Sequence, residues 1–124
     1  LSSAADTRAL IETGVRRFLE EVPALAQLKL VLGLELRGRG DVQLYRVTLP
    51  GPEITKDGAS DAKVRLSVSR SHFNELAAEG NVRHWREAFE HGHVRASGSE
   101  QIIKLVENVV ARQEERGRTR KARR

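Results

Sequence analysis

His91 and His93 stand two residues apart, the spacing that puts two imidazoles on one face of a strand, where they could share a transition-metal ion. Gly92 between them reads as a helix end, and no third ligand lies nearby in sequence, so both are read as solvent-exposed and no metal site is assigned. His84, beside Trp85, is read as structural. There is no cysteine, which excludes a disulfide framework, a thiolate metal site and a cysteine nucleophile. Serines, histidines and acids are plentiful, but nothing in their spacing assembles a triad, so no catalytic residue and no cofactor are assigned. Arg39-Gly40-Asp41 matches an adhesion tripeptide but falls where a hairpin must turn. Glycines 33, 38 and 40 lack the lysine and hydroxyl that would complete a phosphate loop.

The remaining chemistry is charge. Of 124 residues, the first 111 hold 15 Lys/Arg and 15 Asp/Glu. Residues 112–124 hold seven basic residues against Glu114 and Glu115, so the whole formal charge of +5 sits at the end of the chain. Arg116, Arg118, Arg120, Lys121, Arg123 and Arg124 could attract anionic lipid headgroups or nucleic-acid phosphates. No aromatic interleaves them to stack a base, which disfavours nucleic acid. The plain alternative is a solvated end, so 112–124 is expected to be an extended or disordered basic tail following a domain of residues 1–111.

These residues need elements to position them. Ile11, Val15, Phe18, Leu19 and Val22 recur at helical spacing, with Asp6 as N-cap and Pro23 stopping the run. Pro23 can open a short second helix with Leu25 and Leu28. Leu30, Leu32, Leu34 and Leu36 then alternate as one face of a strand. In the next strand Val42 and Leu44 are apolar on even positions, Val47 and Leu49 on odd ones, which requires cover on both faces or a bulge near Tyr45; the bulge is preferred.

Glu53 to Lys56 fits a short edge strand, and Asp57-Gly58 is a hairpin signal that extends the meander into a strand bearing Val64, Leu66 and Val68. Ser71 can cap a helix ending at Gly80, Asn81 another ending at Gly92. Val94 and Ala96 fit a last strand to Gly98, and Ser99 opens a helix with Ile102, Leu105, Val106 and Val109 on one stripe. The order predicts an α+β fold: a mostly antiparallel five-stranded sheet with helices packed on one face. The inward residues Leu66, Phe73, Leu76, Trp85, Phe89, Ile102, Leu105 and Val106 would line an apolar tunnel, or equally form a filled core.

The run Lys63-Val64-Arg65-Leu66-Ser67-Val68-Ser69, the helix at Ser71, and Gly92-His93-Val94-Arg95-Ala96-Ser97-Gly98 together resemble the sterol carrier protein type 2 family. The element order matches that family from the first helix to about Val110. The resemblance implies a tunnel for sterols, fatty acids, acyl-CoA, phospholipids or quinones, and no catalytic residues. Because the family occurs as an appendage of lipid-handling enzymes, a lipid-metabolism enzyme is an implied partner, and an anionic membrane is a further one through the basic end. No run of 18 apolar residues and no leader pattern at Leu1 to Asp6 is present, so the chain is read as soluble and, lacking cysteine, cytoplasmic. The competing function is a scaffold or accessory subunit with a filled core, whose basic tail binds a partner.

Overall fold

The computed structural model describes residues 4–122. The chain runs α1 (Ala4–Glu21), a 3-10 turn (Pro23–Leu28), β1 (Val31–Arg37), β2 (Val42–Thr48), β3 (Glu53–Thr55), β4 (Val64–Ser69), α2 (Arg70–Glu79), α3 (Val82–Glu90), β5 (Val94–Gly98) and α4 (Glu100–Ala122). This is the α+β order read from the sequence. Among the described residues no helix is long and apolar enough to cross a membrane.

The sheet order is β3-β2-β1-β4-β5. Three of its pairs are antiparallel, but β4 lies parallel to β1, with Leu32 opposite Val64 and Leu36 opposite Val68. The sheet is therefore mixed, and the expected four-strand meander does not form. Asp57-Gly58 does not join a hairpin; Asp57 instead accepts from the Ala59 amide at 2.7 Å and bends the chain away from β3. The segment from 56 to 63 crosses the outer face of β1 to reach its free edge. Gly33 makes room for it, since a Cβ there would lie 3.0 Å from Arg65 Cγ and 3.5 Å from Ala59 Cβ. Arg46 clamps the crossing through a two-pronged bond to Asp61, 2.9 and 2.7 Å, and Arg65 donates to the Gly58 carbonyl at 2.7 Å.

Strand β2 contains no bulge. Its register with β1 is continuous from Thr48 opposite Val31 to Val42 opposite Arg37. Tyr45, only 1% exposed, is the inward residue opposite Leu34, with Val47 following it on the same face, while Leu44 and Val42 point outward. The apparent phase change came from counting Leu44 and Val42 as core, when an aromatic residue supplies the inner face.

Local capping departs from expectation at two helices and agrees at two. Ser69, not Ser71, caps α2 by accepting from the His72 amide at 3.3 Å. Helix α1 begins at Ala4, so Asp6 lies in its first turn. Asn81 caps α3, and His84 completes the reciprocal pair, its Nδ1 accepting from the Asn81 amide at 3.1 Å, which gives that histidine its structural role. Ser99 accepts from the Ile102 amide at the start of α4. That helix continues to Ala122. Residues 112–122 are thus helical where an extended end was expected, because loss of the apolar stripe does not stop a run rich in Arg, Gln, Glu and Lys.

The helices cover the inner face of the sheet. One cluster joins Leu34, Leu36, Tyr45, Val47 and Val68 of the sheet to Ile11, Phe73 and Leu76 of α1 and α2. A second, smaller cluster of Val22, Leu25, Val82 and Val110 ties α4 to the 3-10 turn and to the start of α3. Between the two lies unfilled space.

Candidate ligand-binding cavity

Alternation places Leu32, Leu34, Val47, Leu66 and Ala96 on the inner face of adjacent strands, and helical periodicity turns Ile11, Val15 and Phe18 of α1 toward them. These surfaces do not meet everywhere. They enclose a partly open cavity of about 300 Å³ whose wall is carbon almost throughout. That volume falls at the lower end of the roughly 300–1,000 Å³ typical of small-molecule sites.

Trp85 is the rigid part of the wall. Its ring meets Phe73 edge-on at 5.9 Å and Phe18 at 6.4 Å, so one indole braces α3 against both α2 and α1. Phe89, one turn on, is 39% exposed and brings the apolar wall to the surface. Two charged residues also border the cavity, Arg86 on α3 and Glu107 on α4. Arg86 donates from Nε to Glu114 at 2.7 Å and from Nη1 to Glu90 at 2.9 Å. Those two bonds, Glu114 first, raise the guanidinium's already high pKa.

Of the eight tunnel residues chosen from the sequence, Leu66, Phe73, Trp85, Phe89 and Val106 border the cavity. Leu76 is buried in the larger core cluster instead. Ile102 and Leu105 do not border it, and Leu105 is 44% exposed. Helix α4 carries two apolar stripes about 100° apart, and the cavity is met by Ile103, Val106 and Val110, while Val109 packs on the smaller cluster and Ile102 and Leu105 stay off the cavity. Periodicity alone cannot choose between such stripes. The lining from α1 reads in the sequence as an amphipathic face, with nothing in it to mark a site. Arg86 and Glu107 carried no sequence signal.

The other candidates lie elsewhere. His93 stacks on His72 at 4.7 Å and meets His91 edge-on at 6.3 Å, and among the described residues no group of three potential ligands could hold a metal ion. Arg39-Gly40-Asp41 is a turn, in which the Gly38 amide donates to the Asp41 carbonyl at 2.9 Å. Arg116 is exposed on α4; Arg118, Arg120 and Lys121 lie on the same helix, and Arg123 and Arg124 lie outside the described residues.

No protein-family model and no curated protein sequence matches this chain. Solved structures do. A sterol carrier protein domain 2 of Helicoverpa armigera superposes with a TM-score of 0.58 at 12% identity, over 86% of this chain and 85% of that one. Sterol Carrier Protein-2 of Aedes aegypti, solved as a complex with palmitate, gives 0.56 at 18% identity over 90% and 97%. The apo Sterol Carrier Protein 2 of Yarrowia lipolytica gives 0.54 at 14% identity over 78% and 87%. The chain has the sterol carrier protein 2 fold.

Proposed function

We propose that this chain is a non-catalytic carrier that binds a lipid-like apolar molecule in the cavity between sheet and helices. The observation that carries the reading is the cavity itself: about 300 Å³ of space walled by aliphatic and aromatic side chains, with charge only at Arg86 and Glu107. A filled scaffold core would close that space, because interiors otherwise pack to crystal-like density. Palmitate in the Aedes aegypti protein supports a fatty chain as the kind of ligand.

The energetics are sufficient. Each buried methylene contributes about 0.8 kcal/mol, so roughly a dozen offset much or all of the roughly 4–15 kcal/mol lost on association. Contact with an anionic membrane is a further part of the proposal, supported by the basic residues Arg116, Arg118, Arg120, Lys121, Arg123 and Arg124.

Native mass spectrometry of the freshly purified protein, with lipid extraction, tests the carrier reading. Trp85, the single tryptophan, reports independently through its emission as a fatty acid, fatty alcohol or sterol is titrated. A stoichiometric lipid or a saturable Trp85 change is expected. A protein that stays empty and is indifferent to every lipid class would be a scaffold instead.

A further inference from the structure

A guanidinium carries five N–H donors, and Arg86 commits two of them. Its Nε donates to Glu114 at 2.7 Å and its Nη1 to Glu90 at 2.9 Å. One bond reaches α4 and the other stays on its own helix, so the plane of the group is held from two sides. The second N–H of Nη1 and both of Nη2 have no protein acceptor among the described residues. Arg86 borders the cavity while Glu90 and Glu114 do not, and apart from Glu107 the rest of the wall is carbon. The three remaining donors therefore have only solvent or a bound molecule to meet.

A carboxylate offers two oxygens to the edge of a guanidinium, whereas a hydroxyl offers one, and bonds to ionised partners are about twice as strong as neutral ones. Glu107 is not among the partners of Arg86, and being exposed it acts on a bound head through water and salt. A doubly charged phosphate would feel Glu90, Glu107 and Glu114 twice as strongly for the same three donors, which favours a single charge. The space sets the other end. About 300 Å³ is about ten times the ~30 Å³ share of a water molecule, which a methylene roughly matches, so one alkyl chain of that order fills it. We propose that Arg86 positions the ligand: its three uncommitted donors take the carboxylate of a single-chain acid, and the tail runs inward past Trp85. The inference rests on the carrier reading and adds the head group and the orientation to it.

The test titrates laurate and dodecanol separately into the full chain at neutral pH, following Trp85 emission, and reads the ratio of the two affinities. Arg86→Gln should lower the laurate-to-dodecanol ratio about tenfold, and Arg86→Lys, which keeps the charge and loses the fork, about threefold. Loosening of α3 or α4 by either change weakens both chains together and leaves the ratio where it was, so dodecanol controls for the lost tie to Glu114. A ratio unchanged in Arg86→Gln, or in Arg86→Lys should the first variant not fold, overturns Arg86 as the head-group residue and leaves the carrier reading standing. Wild-type protein that binds dodecanol and no laurate does the same. If the wild type binds neither chain, both are overturned.

Discussion

Arg86 Nε on α3 donates to Glu114 Oε1 on α4 across 2.7 Å, tying together the two helices that carry the cavity's charged rim. The carboxylate side is the better shielded, 21% exposed against 42% for the guanidinium. Apolar contact reinforces the tie, since Val106 and Val110 pack on the cluster around Val22, Leu25 and Val82. This hydrophobic patch and this charge-assisted hydrogen bond both hold α4 to the body.

Breaking the tie should loosen α4 without unfolding the sheet. In Glu114→Gln, hydrogen exchange at the Val106 to Val110 amides is expected to quicken about two- to fivefold, with β1 and β4 unchanged, and salt should reproduce part of the effect in the wild type. Unchanged exchange in α4 would show that the apolar patch holds it alone.

Ala96 borders the cavity from β5, opposite Leu66 on β4. Ala96→Phe places a ring in the space. Lipid affinity should fall at least about tenfold while urea stability moves by less than about 1 kcal/mol; forcing the same ring into a filled core would cost roughly 1–3 kcal/mol. The two measurements together separate a cavity from a packed interior.

Gly98 closes β5 with φ +115°, and a Cβ there would lie 2.1 Å from the Lys63 carbonyl oxygen. Gly98→Ala therefore meets both a forbidden backbone conformation and a backbone clash at the β4 partner. A loss of at least about 2 kcal/mol in chemical denaturation is expected.

Glu35 on β1 accepts from the Ser67 hydroxyl at 2.8 Å and from Arg37 at 2.9 Å, and these bonds, Ser67 first, lower its pKa below the ordinary 4.5. A carboxylate whose folded pKa is depressed contributes stability above its unfolded pKa and loses it as pH falls through the folded value. Ser67→Ala should cost about 0.5–1 kcal/mol at neutral pH, with the difference from wild type shrinking below pH 4.5. Denaturant melts across that window check the sign.

For the membrane proposal, neutralising Arg116, Arg118, Arg120 and Lys121 to Gln leaves Glu114 and the cavity intact. At about 1 kcal/mol for each charge near an anionic surface, binding to phosphatidylserine vesicles should weaken by about a thousandfold. Removing residues 112–124 altogether should abolish it. Vesicle sedimentation that is indifferent to both changes would remove the membrane from the proposed function.

The sequence by itself determined the order of elements, the inner faces of β1, β4 and β5 and several helix ends. These follow from short-range rules. Leucines at 32, 34 and 36 alternate because a strand repeats every two residues, and Asn81 with His84 caps a helix because orphan amides need acceptors. The glycines bracketing β5, at φ +79° and +115°, mark bends that other residues resist, which makes that segment recognisable in any context.

Only the tertiary structure decided the rest. Whether β4 pairs with β3 or crosses to β1 depends on Arg46 meeting Asp61 and on the gap at Gly33, contacts between residues distant in sequence. Which stripe of α4 faces inward depends on where α4 lies, and Ile103 wins over Ile102 only once Val110 has docked on Val22 and Leu25. The cavity belongs to the same class. A filled core and a hollow one require the same inward residues, and the difference is a few ångströms of separation between elements, set by the summed packing of all of them.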